Sequence, residues 1–175
     1  MDTILILDPD VEHAANLERA LGPSSCRTAL CEDAMLPSVA AMAETSSALH
    51  SRTNGSTVSL IHGSMADTKF FAVAIYPARA IEFWERPSRD ELFEFAKANL
   101  DLLLRPGHAL GTWFNDFECV HVVDVVVCVP TLDTALHLGL CFNQCSVFDL
   151  EHRREIAIPR SHQDSHLYPG GSRDA

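Results

Sequence analysis

The chain has 175 residues, of which 47% are hydrophobic and 21% are charged. This length fits one domain with at most a small addition, and this composition argues against wholesale disorder. Thirteen basic and 24 acidic residues give a net charge of -11, which repels phosphate backbones and argues against direct nucleic-acid binding. No apolar run reaches the roughly 18 residues that cross a bilayer, and the start MDTILILDPD is acidic, unlike a secretion signal. We therefore expect a cytoplasmic protein that does not engage a membrane.

The first 57 residues predict a strand, a helix and a linker. An aliphatic run covers residues 3–7, and apolar residues at helical spacing between Val11 and Leu21 predict the first helix. A further helix is expected around residues 37–48. The polar stretch 50–57, HSRTNGST, predicts a weakly packed linker before a core domain at 58–158.

The core domain contains the strongest signals. Two β-prone runs, FFAVAIYP and AIEFWE, are separated near Pro77. Ser88 followed three residues later by Glu91 is the pattern of a capping box and predicts the start of a helix. Its expected buried stripe consists of Leu92, Phe95, Ala96, Leu100 and Leu103. A hairpin is expected to turn at Asp116, with a second strand so apolar that it should be central in a sheet.

The last elements are a helix and two short strands. Thr131 is expected to cap the helix, and the residues expected to face inward are Leu132, Ala135, Leu136, Leu140 and Phe142. CSVFDL and REIAI follow as strands, and the tail 159–175 is predicted to be disordered. From 79 to 150 the order is strand, helix, strand, strand, helix, strand. This order predicts an α+β fold of the ferredoxin-like, split βαβ type, with helices on one face of an antiparallel sheet.

Polar residues inside or next to apolar segments are the candidate ligand-binding residues. Asp124 interrupts an aliphatic strand, and Asn143 and Gln144 lie between the last helix and its strand. Buried polar groups without partners are costly, so these residues either pair with one another and with backbone amides or bind a small polar ligand. Trp113 would form a wall of such a pocket, and Asp149 is a further candidate.

Asp8 and Asp10 form an acidic cluster after the first predicted strand. The simplest interpretation is a turn and a helix N-cap. The segment ILILDPDVEHAANLERALG resembles the opening of the receiver domains of response regulators, where such acids help to hold magnesium. Asp8-x-Asp10 is also similar to the nucleophile motif of haloacid-dehalogenase-like phosphatases. Because His62 stands where a receiver needs its phosphoacceptor Asp, phosphotransfer is not predicted.

The six cysteines include no CxxC pair. In a reducing cytoplasm we expect them to act as small buried hydrophobes. His137, Cys141 and Cys145 recur every four residues and could form a zinc site together with residues of the strand around His121. Core packing is the preferred interpretation, and neither a metal nor another cofactor is predicted.

Residues from about 70 to 158 contain a Gly-x-Trp strand, an Asp-Val strand, and Asn-Gln before Phe-Asp-Leu. In this sequence the set is Gly111, Trp113, Asp124, Val125, Asn143, Gln144, Phe148, Asp149 and Leu150. The region resembles small proteins of actinobacteria and their phages that have no established activity. The resemblance implies a shared fold and a mobile-element or actinobacterial setting, but no reaction.

Three functions are compatible with these observations. The first is a non-enzymatic, acidic accessory protein that binds another protein, a second copy of the chain included. The second is a small-molecule-binding or hydrolytic domain centred on Asp124, Asn143 and Gln144. The third is a degenerate receiver-like regulator. A concave pocket that contains carboxylates would favour the second function.

Overall fold

The computed structural model describes residues 25–159, with side chains from residue 34 onward. The chain divides between Leu36 and Pro37 into two compact units. The described part of the first unit, residues 25–36, is helical, and the second unit contains the sheet. The strand and helix expected before residue 22, the cluster of Asp8 and Asp10, and the tail from 160 onward lie outside the described residues.

The fold is α+β. The helices are α1 (Ser25–Thr53), α2 (Arg89–Ala98), α3 (Leu100–Leu103) and α4 (Leu132–Cys141). The strands are β1 (Gly55–Ser59), β2 (Gly63–Ser64), β3 (Phe71–Ala74), β4 (Ile81–Phe83), β5 (His108–Asn115), β6 (Val120–Val129), β7 (Ser146–Asp149) and β8 (Arg154–Ala157). A short 3-10 turn, Pro77–Arg79, separates β3 from β4. Within the described residues, no helix has the length and apolar character needed to span a membrane.

The eight strands form one antiparallel sheet in the order β2-β1-β5-β6-β3-β7-β8, and β4 also pairs with β6. Strand β3 pairs with residues 126–129 of β6, and β4 pairs with residues 121–123. The two short strands therefore follow one another along the same side of β6. Every residue of β6 is buried, which confirms the central position that its continuous apolar sequence predicts.

Alternation along the strands gives the sheet two faces. On one face, a core cluster joins α4 to the sheet; its buried members are Val73, Val127, Val129, Ala135, Val147 and Ile158. On the opposite face, a second cluster consists of Met65, Ala72, Ala109, Val126, Cys128 and Leu150. Asp124 belongs to the second face, because it lies two residues from Val126 along β6.

Helices α2 and α3 agree with the sequence expectation. The Ser88 backbone N–H donates to Glu91 Oε2 at 2.7 Å, and the Glu91 backbone N–H donates to Ser88 Oγ at 3.3 Å, so the capping box is present. All five residues of the expected stripe are buried. The helix is interrupted at Asn99, whose side-chain amide donates to the Phe95 carbonyl oxygen at 2.9 Å.

The inward face of α4 differs from the expectation at its C-terminal end. Leu140 is 55% exposed and Phe142 is also exposed, whereas Gly139 is buried. A Cβ atom at Gly139 would overlap the side chain of Ile158. The buried stripe therefore runs through Ala135 and Gly139, because the missing side chain lets the helix approach the sheet closely.

The predicted linker at residues 50–57 is wrong. Helix α1 continues to Thr53, and β1 begins at Gly55 and pairs with β5. The buried positions of α1 beyond Pro37 recur at helical spacing and are Val39, Met42, Ala43, Ser46 and His50. Two polar residues therefore complete an inward stripe that hydrophobic periodicity alone ends at Ala43.

The cysteines depart from the expected burial. Cys128 is buried in β6, but Cys119, Cys141 and Cys145 are exposed. Cys119 has a positive φ of 56° in the turn between β5 and β6, and Cys141 is the last residue of α4. Segments that are apolar in sequence thus place these residues at element ends, where side chains reach solvent.

Candidate functional site

A pocket of about 150 Å³ lies against the face of the sheet that carries Asp124. We call it the Asp124 pocket. Its lining comes from β1, β3, β5, β6, β7 and β8 and from the segment before β7, and it includes Trp113, Asp124, Gln144, Phe148 and Glu155. The sheet therefore curls so that β1 and β7 flank the same space. Three of the five residues predicted from sequence, Trp113, Asp124 and Gln144, line this one pocket.

Asp124 forms the polar floor of the pocket. Its side chain is buried, with a residue exposure of 5%. Burial raises the pKa of Asp124 to about 6, and a hydrogen bond from the Trp113 side chain acts in the opposite direction. Within the described part of the chain, Oδ1 of Asp124 has no hydrogen-bond partner. This oxygen is an unsatisfied acceptor that the surrounding protein covers, so a donor in the pocket would satisfy it once the carboxyl group turns toward the opening.

Gly111 makes room for this carboxylate. It lies opposite Asp124 in the β5–β6 pairing. A Cβ atom at Gly111 would overlap Oδ1 of Asp124 and come within 2.8 Å of Cγ1 of Val126. The Gly-x-Trp pattern noted in the sequence therefore has two physical roles, since its first residue admits the carboxyl group and its third residue donates to it.

Asn143 has a different role from Gln144. Asn143 is in the left-handed conformation, with φ of 55°, and its backbone N–H donates to the Leu140 carbonyl oxygen at 3.2 Å. The Gln144 backbone N–H donates to the Gly139 carbonyl oxygen at 2.8 Å. These two bonds form a Schellman motif that ends α4. Asn143 thus shapes the turn that carries Gln144, and only Gln144 lines the pocket.

Asp149 is not part of the pocket lining either. It is buried, and its Oδ1 accepts backbone hydrogen bonds from Glu151 and His152, both at 3.1 Å. Its Oδ2 lies 2.9 Å from His152 Nδ1 and 3.5 Å from Arg154 Nε. Burial raises the pKa of Asp149, but the hydrogen bonds and charge of His152 and the hydrogen bond from Arg154 together outweigh it, so the pKa is below its ordinary value. Asp149 therefore fixes the β7–β8 turn, while its neighbour Phe148 points into the pocket.

A continuous chain of hydrogen bonds lies on the other face of the sheet, and we call it the polar chain. Ser46 Oγ lies 2.6 Å from Ser56 Oγ, which lies 2.8 Å from Thr112 Oγ1. Thr112 Oγ1 lies 3.0 Å from His50 Nδ1, and His50 Nε2 lies 2.8 Å from His121 Nδ1. The polar chain therefore joins α1 to β1, β5 and β6.

Both imidazoles of the polar chain are held neutral. Burial, followed by the nearby His121 and Arg86, lowers the pKa of His50 to about 4. Burial and Arg86 also lower the pKa of His121. With both rings neutral, the protons can be ordered in one direction along the chain so that each bond has one donor and one acceptor. The arrangement fixes α1 on the sheet, and sequence reasoning missed it because its members are far apart in the chain.

The remaining members of the Asp124 pocket were also missed. Phe148 and Glu155 lie opposite one another in the β7–β8 pairing, and both line the pocket. Strand alternation places Ser146 and Phe148 on one face, but the sequence gives no register between β7 and β8. Among the described residues, no group of three or more His, Cys, Asp or Glu side chains is placed to hold a metal ion.

Comparison of the chain with protein-family models, with curated proteins and with solved structures finds no match.

Proposed function

We propose that this protein is a small-molecule-binding domain whose ligand occupies the Asp124 pocket. The observation that carries the proposal is Oδ1 of Asp124, a buried acceptor with no hydrogen-bond partner among the described residues, at the floor of a concave pocket. Two aromatic side chains, Trp113 and Phe148, line the same pocket, and Gln144 adds an amide. A concave site with apolar walls and a few converging polar groups is the usual form of a small-molecule site.

A thermal-shift screen tests this function without assuming a ligand class. The library should contain cationic, neutral and anionic metabolites, and the variants should be Trp113→Ala and, as a matched control, Trp84→Ala. Trp84 is 83% exposed and is not among the residues that line the pocket. We expect at least one compound to raise the melting temperature of the wild type and of Trp84→Ala, but not that of Trp113→Ala. A library without such a compound contradicts the proposal.

Binding to another protein is a second candidate function. Phe117 is 95% exposed in the β5–β6 turn. Trp84 follows Phe83, which pairs with His121, so it lies at the same end of the sheet. Exposed aromatic residues are typical of the centres of protein interfaces, and the net charge of -11 favours a partner with a basic surface. The test is Phe117→Ser, which should weaken binding of a basic partner without changing thermal shifts from pocket ligands.

We also propose that residues 71–149 follow the split βαβ connectivity of ferredoxin-like folds. The supporting observations are the strand order β5-β6-β3-β7, with β4 continuing β3 along β6, and the positions of α2 and α4 in the chain between these strands. Strands β1, β2 and β8 would then extend the sheet at its two edges. The receiver-like alternative stays a prediction, since Asp8 and Asp10 lie outside the described residues.

A further inference from the structure

The lining of the Asp124 pocket has one sign of charge. Two of its members, Asp124 and Glu155, are acidic, and none of the described residues that line it is Lys, Arg or His. The chain as a whole has a net charge of -11, so the long-range field adds to the local one. An anionic ligand would therefore meet repulsion both on approach and at the site.

The apolar part of the lining makes the pocket suited to an organic ion. Trp113 and Phe148 present aromatic rings and Ala72, Ala74 and Val126 present aliphatic surface. Inorganic cations need several oxygen ligands, and the described residues contain no group of three or more His, Cys, Asp or Glu side chains placed to hold one. A flat organic cation gains both from a carboxylate and from the face of an indole ring.

The size of the pocket limits the bound group. A cavity volume of about 150 Å³ matches one aromatic ring or a group of similar size. A neighbouring cavity of about 230 Å³ shares Phe148 and is lined by Leu49, Ala66 and Leu150. Its basic residue, Arg153, already binds Asp67 through bonds of 2.9 and 2.6 Å. A larger ligand could extend an apolar portion in this direction.

We propose that the Asp124 pocket binds a planar organic cation of the amidinium, guanidinium or aromatic ammonium class, with an N–H donor on the carboxylate of Asp124 and its flat face against Trp113. This inference rests on the proposed binding function and names its ligand class. The ionised carboxylate accepts charge-assisted hydrogen bonds from the cation. The same arrangement rejects a neutral isostere, which offers a weaker donor, and an anion, which offers none.

The probes that test the ligand class are benzamidinium, neutral benzamide and anionic benzoate, which have similar shapes. The full chain carries two Trp residues, so Trp84→Phe leaves Trp113 as the only indole reporter of fluorescence quenching. We expect saturable quenching by benzamidinium with a Kd of about 1 mM or lower, within reach of a ligand of this size. Benzamide should bind at least about tenfold more weakly because it lacks the charge, and benzoate should give no saturation.

Variants of the reporter protein locate the interaction. Asp124→Asn should weaken benzamidinium binding by at least about tenfold and leave benzamide binding unchanged. Glu82→Gln removes an exposed acid of β4 outside the pocket lining and should change neither affinity. Gln144→Ala is a second pocket variant that leaves the buried carboxylate in place, and circular dichroism should confirm that each variant is folded.

Measuring benzamidinium affinity over a series of pH values separates binding at Asp124 from nonspecific attraction of the cation to the acidic protein. Protonation of Asp124, with its pKa of about 6, should weaken benzamidinium binding about tenfold between pH 7.5 and pH 5. The cation class is overturned if benzamide binds as tightly as benzamidinium, if Asp124→Asn leaves the affinity unchanged, or if none of the three probes saturates. In each case a compound from the metabolite screen that depends on Trp113 would still support the binding function, so the two failures are distinguishable.

Discussion

The carboxyl group of Asp124 and the missing side chain of Gly111 depend on one another. Strand β6 needs apolar residues for a central position, yet it carries an acid that burial penalises. The acid fits only because its cross-strand partner has no Cβ atom. A purely structural sheet would be more stable with an aliphatic residue at 124. Function at the pocket would explain the cost of the buried acid.

We predict that Gly111→Ala lowers the free energy of unfolding by about 2 kcal/mol, because the added methyl group overpacks the site. The effect should be smaller in an Asp124→Ala background, since the overlapping carboxylate oxygen is then gone and only the contact to Val126 at 2.8 Å remains. Urea denaturation of the two single variants and the double variant gives the coupling free energy, expected to be about 1 kcal/mol or more. Additivity within about 0.5 kcal/mol would contradict the proposed overlap.

The capping and the buried stripe of α2 were predictable from sequence, and so was a helix around residues 37–48, but the continuation of α1 to Thr53 and the packing of His50 were not. The capping-box pattern of Ser88 and Glu91 predicts the start of α2, and Leu92 and Phe95 lie on its buried face as expected. His50 gave no such signal, because a histidine on an inward face needs a polar partner, and its partners on β5 and β6 are more than 60 residues away. Local patterns encode capping and periodicity, whereas buried polar pairing is decided by the tertiary structure.

Leucine-to-alanine substitutions can measure the difference in burial between α2 and the C-terminal end of α4. Leu92→Ala should lower the free energy of unfolding by about 2–5 kcal/mol, because Leu92 is fully buried. Leu140→Ala, in a leucine that is 55% exposed, should change it by about 0.5 kcal/mol or less. Chemical denaturation of both variants checks the pair. A comparable loss in Leu140→Ala would place α4 in the inward orientation expected from its sequence.

The attachment of α1 to the sheet should depend on the polar chain. His121→Ala removes the bond to His50 and the ring contact with Phe114, whose centroid lies 4.7 Å away. We expect a loss of about 2–3 kcal/mol, because a buried imidazole nitrogen is left without its partner and a cavity forms. The control is His62→Ala, an exposed position in the turn between β1 and β2. Hydrogen exchange should accelerate more in residues 46–53 than in α2; equal acceleration in both helices would mean that the polar chain does not hold α1 in particular.

At the scale of the whole molecule, the sheet brings together residues that the sequence only marks as unusual. The polar character of Asp124 and Gln144 made them candidate ligand-binding residues in the sequence, and their convergence on one pocket depends on the curl of the sheet and on the end of α4. The two faces of the sheet each carry a buried titratable residue, and the pKa values of these two residues are shifted in opposite directions. An acid with a raised pKa lies on the pocket face and a histidine with a lowered pKa lies on the face of α1.

These two groups should make opposite contributions to the dependence of stability on pH. The pKa of Asp124 rises from 3.8 to about 6 on folding, so its contribution is largest below pH 3.8 and is lost as the pH rises to about 6. The pKa of His50 falls from 6.5 to about 4, so its contribution is complete above pH 6.5 and is lost as the pH falls to about 4. Each pKa change corresponds to about 3 kcal/mol at most, and in the wild type the two nearly cancel.

Removing either group should therefore make the pH dependence caused by the other group visible in the free energy of unfolding. Relative to the wild type, Asp124→Asn should become more stable as the pH rises from 4 to 6.5, and His50→Gln should become less stable over the same range, by up to about 3 kcal/mol each. Free energies of unfolding from urea titrations at several pH values check both slopes, and Glu82→Gln, an exposed substitution on β4, should run parallel to the wild type. Because the wild type, Asp124→Asn and His50→Gln have all other titrating groups in common, the two differences must have opposite signs. Slopes of the same sign would mean that at least one of these residues is not held in the ionisation state described for it.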